Sequence, residues 1–95
     1  MFIHIFTFRW KPEATEALKQ RAATDILAFQ GVIPGLLETN IGNNISPRGG
    51  GYTFTGLMKF TDQAAYEAYA IHPIHMALLE WLIPLVEPLE IDFEI

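Results

Sequence analysis

The chain has 95 residues, 51% of them hydrophobic, with no cysteine and a formal net charge of −5 at pH 7. The length predicts one small domain spanning residues 1–95. The acidic balance and the absence of a basic run argue against nucleic-acid and anionic-membrane partners, and the lack of cysteine excludes disulfides and thiolate chemistry.

The N-terminal third predicts a strand followed by a helix. Residues 2–8 are aromatic and β-branched, with Phe2, His4, Phe6 and Phe8 on one face and Ile3, Ile5 and Thr7 on the other. A helical pattern then runs from a plausible N-cap at Thr15 to Gln30, and Gly31 is a good stop.

The middle of the chain predicts two strands joined by a loop. The first, from Leu36 to about Ile45, is rich in Asn and Gly and is therefore expected at a sheet edge or with a bulge. Gly49-Gly50-Gly51 lies in the loop, but no Lys-Ser/Thr pair follows, so it is not a phosphate loop. The second strand runs from Tyr52 to Phe60.

The last third predicts a broken helix and a final strand. Thr61 or Asp62 caps a helix that stops before His72, because Pro73 cannot continue it and instead begins a second helix. This second helix runs to about Leu85, and an alternating strand covers 89–95.

The order of these elements predicts an α+β fold of the ferredoxin-like βαββαβ type with a four-stranded antiparallel sheet. Two helices cover only one face of such a sheet, which leaves Ile3, Ile5 and Leu57 uncovered. A second copy meeting this face gives a homodimer in which two sheets form an α+β barrel.

The histidine-rich segment from Tyr69 to His75 is the candidate for chemistry. His72 takes a cap position, and His75 lies in the first turn of the second helix, where the helix dipole favours neutral imidazole. A neutral imidazole beside a phenol can transfer a proton. Packing or capping by all of these side chains is the alternative. His72 and His75 flank a proline break, so they do not form the helical pair that zinc sites favour.

Several segments together resemble the stress-responsive A/B barrel domain family, which is part of the dimeric α+β barrel superfamily. They are His4-Ile5-Phe6, Phe8-Arg9-Trp10-Lys11, Gly42 to Arg48, Gly51-Tyr52, Tyr69 to His75, and Val86-Glu87 with Ile91-Asp92-Phe93. The resemblance covers nearly the whole chain. It implies the dimeric barrel fold and implies an activity much less strongly.

One branch of that family, which contains plant olivetolic acid cyclase, closes a polyketide ring by an intramolecular aldol reaction. The resemblance implies that Tyr69 and His75 are catalytic and that His4, His72 and Asp92 contact the substrate. The same residue types occur in members without known activity. The stretch Met76 to Trp81 departs from the branch, so the substrate is not carried over.

The site residues and the family resemblance together give three functional hypotheses. The first is a cofactor-free cyclase or lyase acting on a small apolar carbonyl compound. The second is a non-catalytic dimer that binds a small ligand or acts under stress. The third is suggested by the wider dimeric α+β barrel superfamily, which includes haem-degrading and cofactor-free monooxygenases, with His75 or His72 as an axial haem ligand. It ranks last because the sequence has no basic cluster near these histidines for the haem propionates. We expect no metal or other cofactor. The charge order at the N-terminus and the lack of a long apolar stretch favour a soluble, cytoplasmic protein.

Overall fold

A computed structural model describes all 95 residues. Its elements are β1 (Phe2–Trp10), α1 (Glu16–Leu27), β2 (Leu36–Asn43), β3 (Phe54–Phe60), α2 (Gln63–Ala70), α3 (Pro73–Leu82) and β4 (Val86–Glu94). The strands form one antiparallel sheet in the order β2-β3-β1-β4. This is the predicted ferredoxin-like arrangement, with its second helix divided in two.

Strand β4 lies next to β1 at one edge of the sheet and is longer than the sequence pattern indicates. It starts at Val86, which pairs with Trp10, so β1 also runs two residues beyond the predicted end. Pro88 lies inside β4 opposite Phe8. An edge strand tolerates proline because one of its sides needs no hydrogen-bond donors.

Strand β2 occupies the other edge, and its register shifts between Leu36 and Glu38. The predicted edge position and bulge are both confirmed. Gly35 precedes β2 with φ +78°, and a Cβ there would lie 2.7 Å from Cβ of Ala65. Glycine is required at this turn both for its backbone conformation and for the close approach of α2.

The helix boundaries follow their capping residues. Thr15 accepts a hydrogen bond from the backbone N–H of Leu18, and Asp62 accepts one from Ala65. Helix α1 ends at Leu27, three residues before the predicted end. Helix α3 is also shorter than predicted, since a 3₁₀ turn at Ile83–Leu85 follows it.

The hydrophobic core lies between the helices and one face of the sheet. Its buried residues include Phe2, Phe6, Phe8, Ala22, Ile26, Phe29, Met58, Phe60, Leu78 and Leu82. The ring of Phe6 lies directly on Gly56, where an added Cβ would come within 2.1 Å of it. Glycine at this position therefore lets Phe6 lie flat beside the candidate site described below.

The opposite face of the sheet, here called the outer sheet face, carries no helix. Its apolar side chains are Ile3, Ile5, Leu57, Leu89, Ile91 and Phe93, and the last three are 46%, 51% and 44% exposed. Contrary to the sequence-based expectation, Ile3 is only 3% exposed within one chain. Thr7 and Thr55 share a 2.8 Å hydrogen bond on this face. No helix has the length and apolar character needed to cross a membrane.

Candidate active site

A small cavity lies between α3 and the helix-facing side of β1 and β4. Its volume is about 60 Å³, and it is lined by His4, Phe6, Phe8, Ile26, Tyr69, His75, Leu78, Leu79, Leu82, Ile83, Val86, Pro88 and Glu90. Its mouth is formed by lining residues that are exposed, namely Ile83, Pro88 and Glu90. The space admits about two water molecules and is well below the roughly 300 Å³ of a typical ligand pocket.

Tyr69 and His75 face each other at this cavity. Their ring centroids are 4.2 Å apart, and Tyr69 is only 4% exposed. The rings of Phe60 and Phe29 hold the phenol at centroid distances of 5.2 and 5.8 Å. The Tyr69 hydroxyl makes no hydrogen bond within the chain, yet no fully buried polar side-chain atom lacks a partner. The hydroxyl therefore reaches the accessible space of the cavity.

The helix break between α2 and α3 orients His75. Helix α2 ends at Ala70, whose carbonyl has no partner within its own helix. Nδ1 of His75 lies 2.9 Å from this carbonyl oxygen. Because a carbonyl can only accept, Nδ1 carries the proton and donates it to the hydrogen bond. Nε2 is then the unprotonated nitrogen, and it has no partner in the chain.

The surroundings of the pair keep both groups neutral. Burial lowers the pKa of His75, although the Ala70 hydrogen bond and the charge of Glu90 oppose this shift. Burial likewise raises the pKa of Tyr69, and Tyr66 and Glu90 add to the effect. At neutral pH, His75 is a free base and Tyr69 is a hydrogen-bond donor. This combination suits proton transfer at a carbonyl compound.

His4 reaches the same cavity from β1 and is held by Asp92 on β4. The two residues are register partners in the sheet, and His4 Nδ1 lies 2.5 Å from Asp92 Oδ1. The predicted contact across the strand ladder is therefore confirmed. The carboxylate can only accept, so Nδ1 of His4 donates this hydrogen bond, and Nε2 is the ring nitrogen without a partner in the chain. Asp92 thus orients His4, whereas a backbone carbonyl orients His75.

Tyr66 closes the space between α2 and β1. Its ring stacks on Phe2 at 4.6 Å and lies 4.9 Å from the ring of His4. Burial, with the charges of Asp92 and Glu90, raises the pKa of Tyr66 to about 12. The phenol packs against the imidazole and does not line the cavity.

His72 lies apart from the other predicted site residues. It is the N-cap of α3, and its Nδ1 accepts a hydrogen bond of 3.2 Å from the backbone N–H of Ile74. It does not line the cavity. The structure thus brings together Tyr69, His75 and His4, with Asp92 behind His4. The expected contact of His72 with a substrate stays a prediction.

Other lining residues were not expected from the sequence. Glu90 lines the cavity from β4, and strand alternation, which places it on the same side as Asp92, could have indicated it. Of the stretch Met76 to Trp81, only Leu78 and Leu79 line the cavity. The remaining side chains of that stretch lie on other faces of helix α3, away from the cavity.

No group of three or more histidine, aspartate or glutamate side chains lies close enough together to hold a metal ion. His75 uses Nδ1 on a backbone carbonyl, and His72 uses Nδ1 on a backbone N–H. His4 is committed through Nδ1 to Asp92. Each histidine has one ring nitrogen engaged by its own protein surroundings.

The chain matches the model of the Stress responsive A/B Barrel Domain over residues 2–95. The chain belongs to this family. No protein with a curated function matches it.

Several solved structures share the fold over nearly the whole chain. A family member from Mesorhizobium loti is 31% identical, with a TM-score of 0.84, and the match covers 99% of this chain and 95% of that one. A dimeric ferredoxin-like protein of unknown function from Thermobifida fusca is 24% identical, with a TM-score of 0.84 and coverage of 99% and 90%. The hydroxynitrile lyase from Passiflora edulis is 18% identical, with a TM-score of 0.89 and coverage of 99% and 92%.

Proposed function

We propose that this protein is a cofactor-independent enzyme of the cyclase or lyase type that removes a proton next to a substrate carbonyl. His75 Nε2 accepts the proton from the carbon. The Tyr69 hydroxyl donates a hydrogen bond to the carbonyl oxygen as negative charge develops there. The direct contact of these two rings, at a centroid distance of 4.2 Å beside one mostly hydrophobic cavity, carries the proposal.

The remaining site residues take supporting roles in this proposal. His4 offers its free Nε2 to a polar substrate group, and Asp92 holds His4 in that orientation. His72 contacts the part of a larger substrate that extends beyond the cavity, in addition to capping α3. No metal or cofactor takes part. The hydroxynitrile lyase of similar fold supports lyase chemistry as an option for this scaffold.

A non-catalytic protein that binds a small ligand or acts under stress is the second candidate. The cavity volume of about 60 Å³ counts against turnover of a polyketide, which does not fit in such a space. The enzyme proposal therefore requires the mouth at Ile83, Pro88 and Glu90 to widen when substrate binds. Ile83 lies in the short 3₁₀ turn and Pro88 in an edge strand, so few backbone hydrogen bonds oppose such movement.

We also propose that the protein is a homodimer that joins two outer sheet faces into an α+β barrel. Three large apolar side chains of β4, together with Ile5 and Leu57, lie on a face that no helix covers. Apolar surface of this extent is typical of an interaction site. The Thermobifida fusca protein of the same fold is dimeric, which supports the same assembly here.

Replacement of Tyr69 by Phe and of His75 by Ala tests the enzyme proposal. Both variants are expected to keep the fold and the dimer and to lose proton abstraction. The measurement is hydrogen exchange at the carbon next to a ketone carbonyl. Unchanged exchange in both variants, at a rate above background, shows that these residues are not the acid–base pair.

A further inference from the structure

The cavity has one unpaired charge. Of the 13 lining residues, Glu90 is the only one with a carboxylate, and none is Lys or Arg. The Glu90 carboxylate forms no ion pair, whereas the other helix-facing acid near the site, Asp92, is paired with His4. An anion entering the cavity therefore meets a negative charge and no positive side chain.

The position of Glu90 follows from strand alternation. It is the register partner of Phe6 in β1, two residues before Asp92, and its side chain points to the helix side of the sheet. No helix covers β4 at this point, so Glu90 is exposed at the mouth while its carboxylate still faces Tyr69 and His75. A ligand that enters at this mouth comes close to the Glu90 carboxylate.

We infer that Glu90 selects the substrate by charge, so that the cavity accepts uncharged carbonyl compounds and rejects carboxylates. This inference rests on the proposed function and narrows its substrate class. The same charge also favours a positive imidazole, because it partly offsets the lowering of the His75 pKa by burial. Glu90 therefore stabilises His75 once it holds the abstracted proton, and it discourages ionisation of Tyr69. The titratable groups that line the cavity around His75 are His4, Tyr69 and Glu90, and the charge of His4 acts in the opposite direction to that of Glu90.

A pair of probes of nearly equal shape tests the inference. Acetophenone and benzoate differ by a methyl group in place of a carboxylate oxygen, and benzoate is ionised at pH 7.5. Their binding is followed at low ionic strength through the aromatic NMR resonances of Tyr69 and His75. The wild-type protein is expected to bind acetophenone more tightly than benzoate. In Glu90→Gln, benzoate affinity rises about fivefold while acetophenone affinity stays within about twofold.

Glu94→Gln is the matched control. Glu94 lies on the same side of β4, four residues further on, and does not line the cavity. Its replacement removes the same charge and is expected to leave the affinity ratio unchanged. Added salt should weaken the discrimination in the wild type, because it screens an exposed charge.

Three results overturn the inference. They are equal affinity of the two probes in the wild type, an equal effect of Glu94→Gln and Glu90→Gln, and no response of the cavity resonances to either probe. The assay measures binding and needs no turnover. Failure of the acid–base proposal, seen as unchanged exchange in the Tyr69 and His75 variants, is therefore distinguishable from failure of the charge-selection proposal.

Discussion

His4 and Asp92 are 88 positions apart in the sequence and meet at 2.5 Å across the β1–β4 ladder. The His4 side chain is 5% exposed and the Asp92 side chain 33% exposed. A buried imidazole needs a partner for its N–H, and the carboxylate supplies it. The contact fixes the orientation of the His4 ring and leaves its second ring nitrogen without a partner in the chain.

Replacement of Asp92 is therefore expected to destabilise the protein through His4. Asp92→Ala leaves a buried N–H without an acceptor, which costs about 1–3 kcal/mol of unfolding free energy. Asp92→Asn is expected to lose less unfolding free energy, since its amide oxygen can still accept the hydrogen bond from His4. Urea denaturation measures both, and Glu94→Gln serves as the control for lost charge on the same strand. Equal stability of Asp92→Ala and the wild type would show that the pair contributes nothing to stability.

The outer sheet face is expected to hold two chains together. Light scattering at micromolar concentration should give about twice the chain mass of 10.7 kDa. Ile5→Glu and Leu57→Glu should shift the protein towards the monomer, because an unpaired buried charge costs several kcal/mol. Val32→Glu, at a residue that is 53% exposed on the helical side, is the control and should leave the mass unchanged. A wild-type monomer rules out the dimer.

Acid is expected to destabilise the protein partly through His75. Burial places the folded-state pKa of His75 below its unfolded value of about 6.5, so the unfolded chain takes up the proton first. The stability is complete above about pH 6.5 and is lost as the pH falls through the folded-state pKa. Unfolding free energies measured from pH 8 to 5 should show this decline, and His75→Gln should reduce its slope. A steeper decline in the variant contradicts the assignment.

Metal ions and haem are expected to be unnecessary for folding. No three histidine, aspartate or glutamate side chains lie close enough together to form a preformed set of metal ligands. Treatment of the purified protein with a chelator should leave its melting temperature unchanged, and the protein should show no Soret absorption. Stoichiometric metal bound through His72 and His75 in solution would overturn this prediction.

Local sequence signals predicted the elements that depend on local chemistry. The Thr15 cap, the Asp62 cap and the break at Pro73 each involve contacts within three residues, and all are confirmed. The ends of β1 and β4 were harder to predict from local sequence signals. They are set by the pairing of Trp10 with Val86, a contact between distant parts of the chain. Propensity around Pro88 argues against a strand there, and tertiary pairing overrides it.

The candidate site was predictable to a similar degree. The helix break indicated that His75 would lie in a first turn, and neighbouring strands indicated that His4 could meet Asp92. The size of the cavity was not predictable, because it depends on how closely Leu78, Leu82 and Phe29 pack in three dimensions. The sequence does not single out Glu90, because acidic alternation on an edge strand usually marks a solvated face.

The proposed enzyme activity depends on Tyr69 and His75 acting as an acid–base pair on a carbonyl compound. Hydrogen–deuterium exchange at the methyl group of acetophenone in D₂O measures proton abstraction directly. It does not require the natural substrate to be known. Loss of ¹H NMR intensity gives the rate, with buffer alone as the background. Tyr69→Phe is the sharpest variant because it removes one hydroxyl and almost no packing volume. Circular dichroism and the dimer mass confirm that each variant remains folded.

The wild-type protein is expected to accelerate this exchange above background. Tyr69→Phe and His75→Ala should each reduce the acceleration by about 10²-fold or more, the usual contribution of general acid–base catalysis. His72→Ala, which alters a cap outside the cavity, should retain most of it. Two results would contradict the assignment of Tyr69 and His75 as the acid–base pair. They are exchange at the background rate with the wild-type protein, and equal rates in the wild type and both site variants.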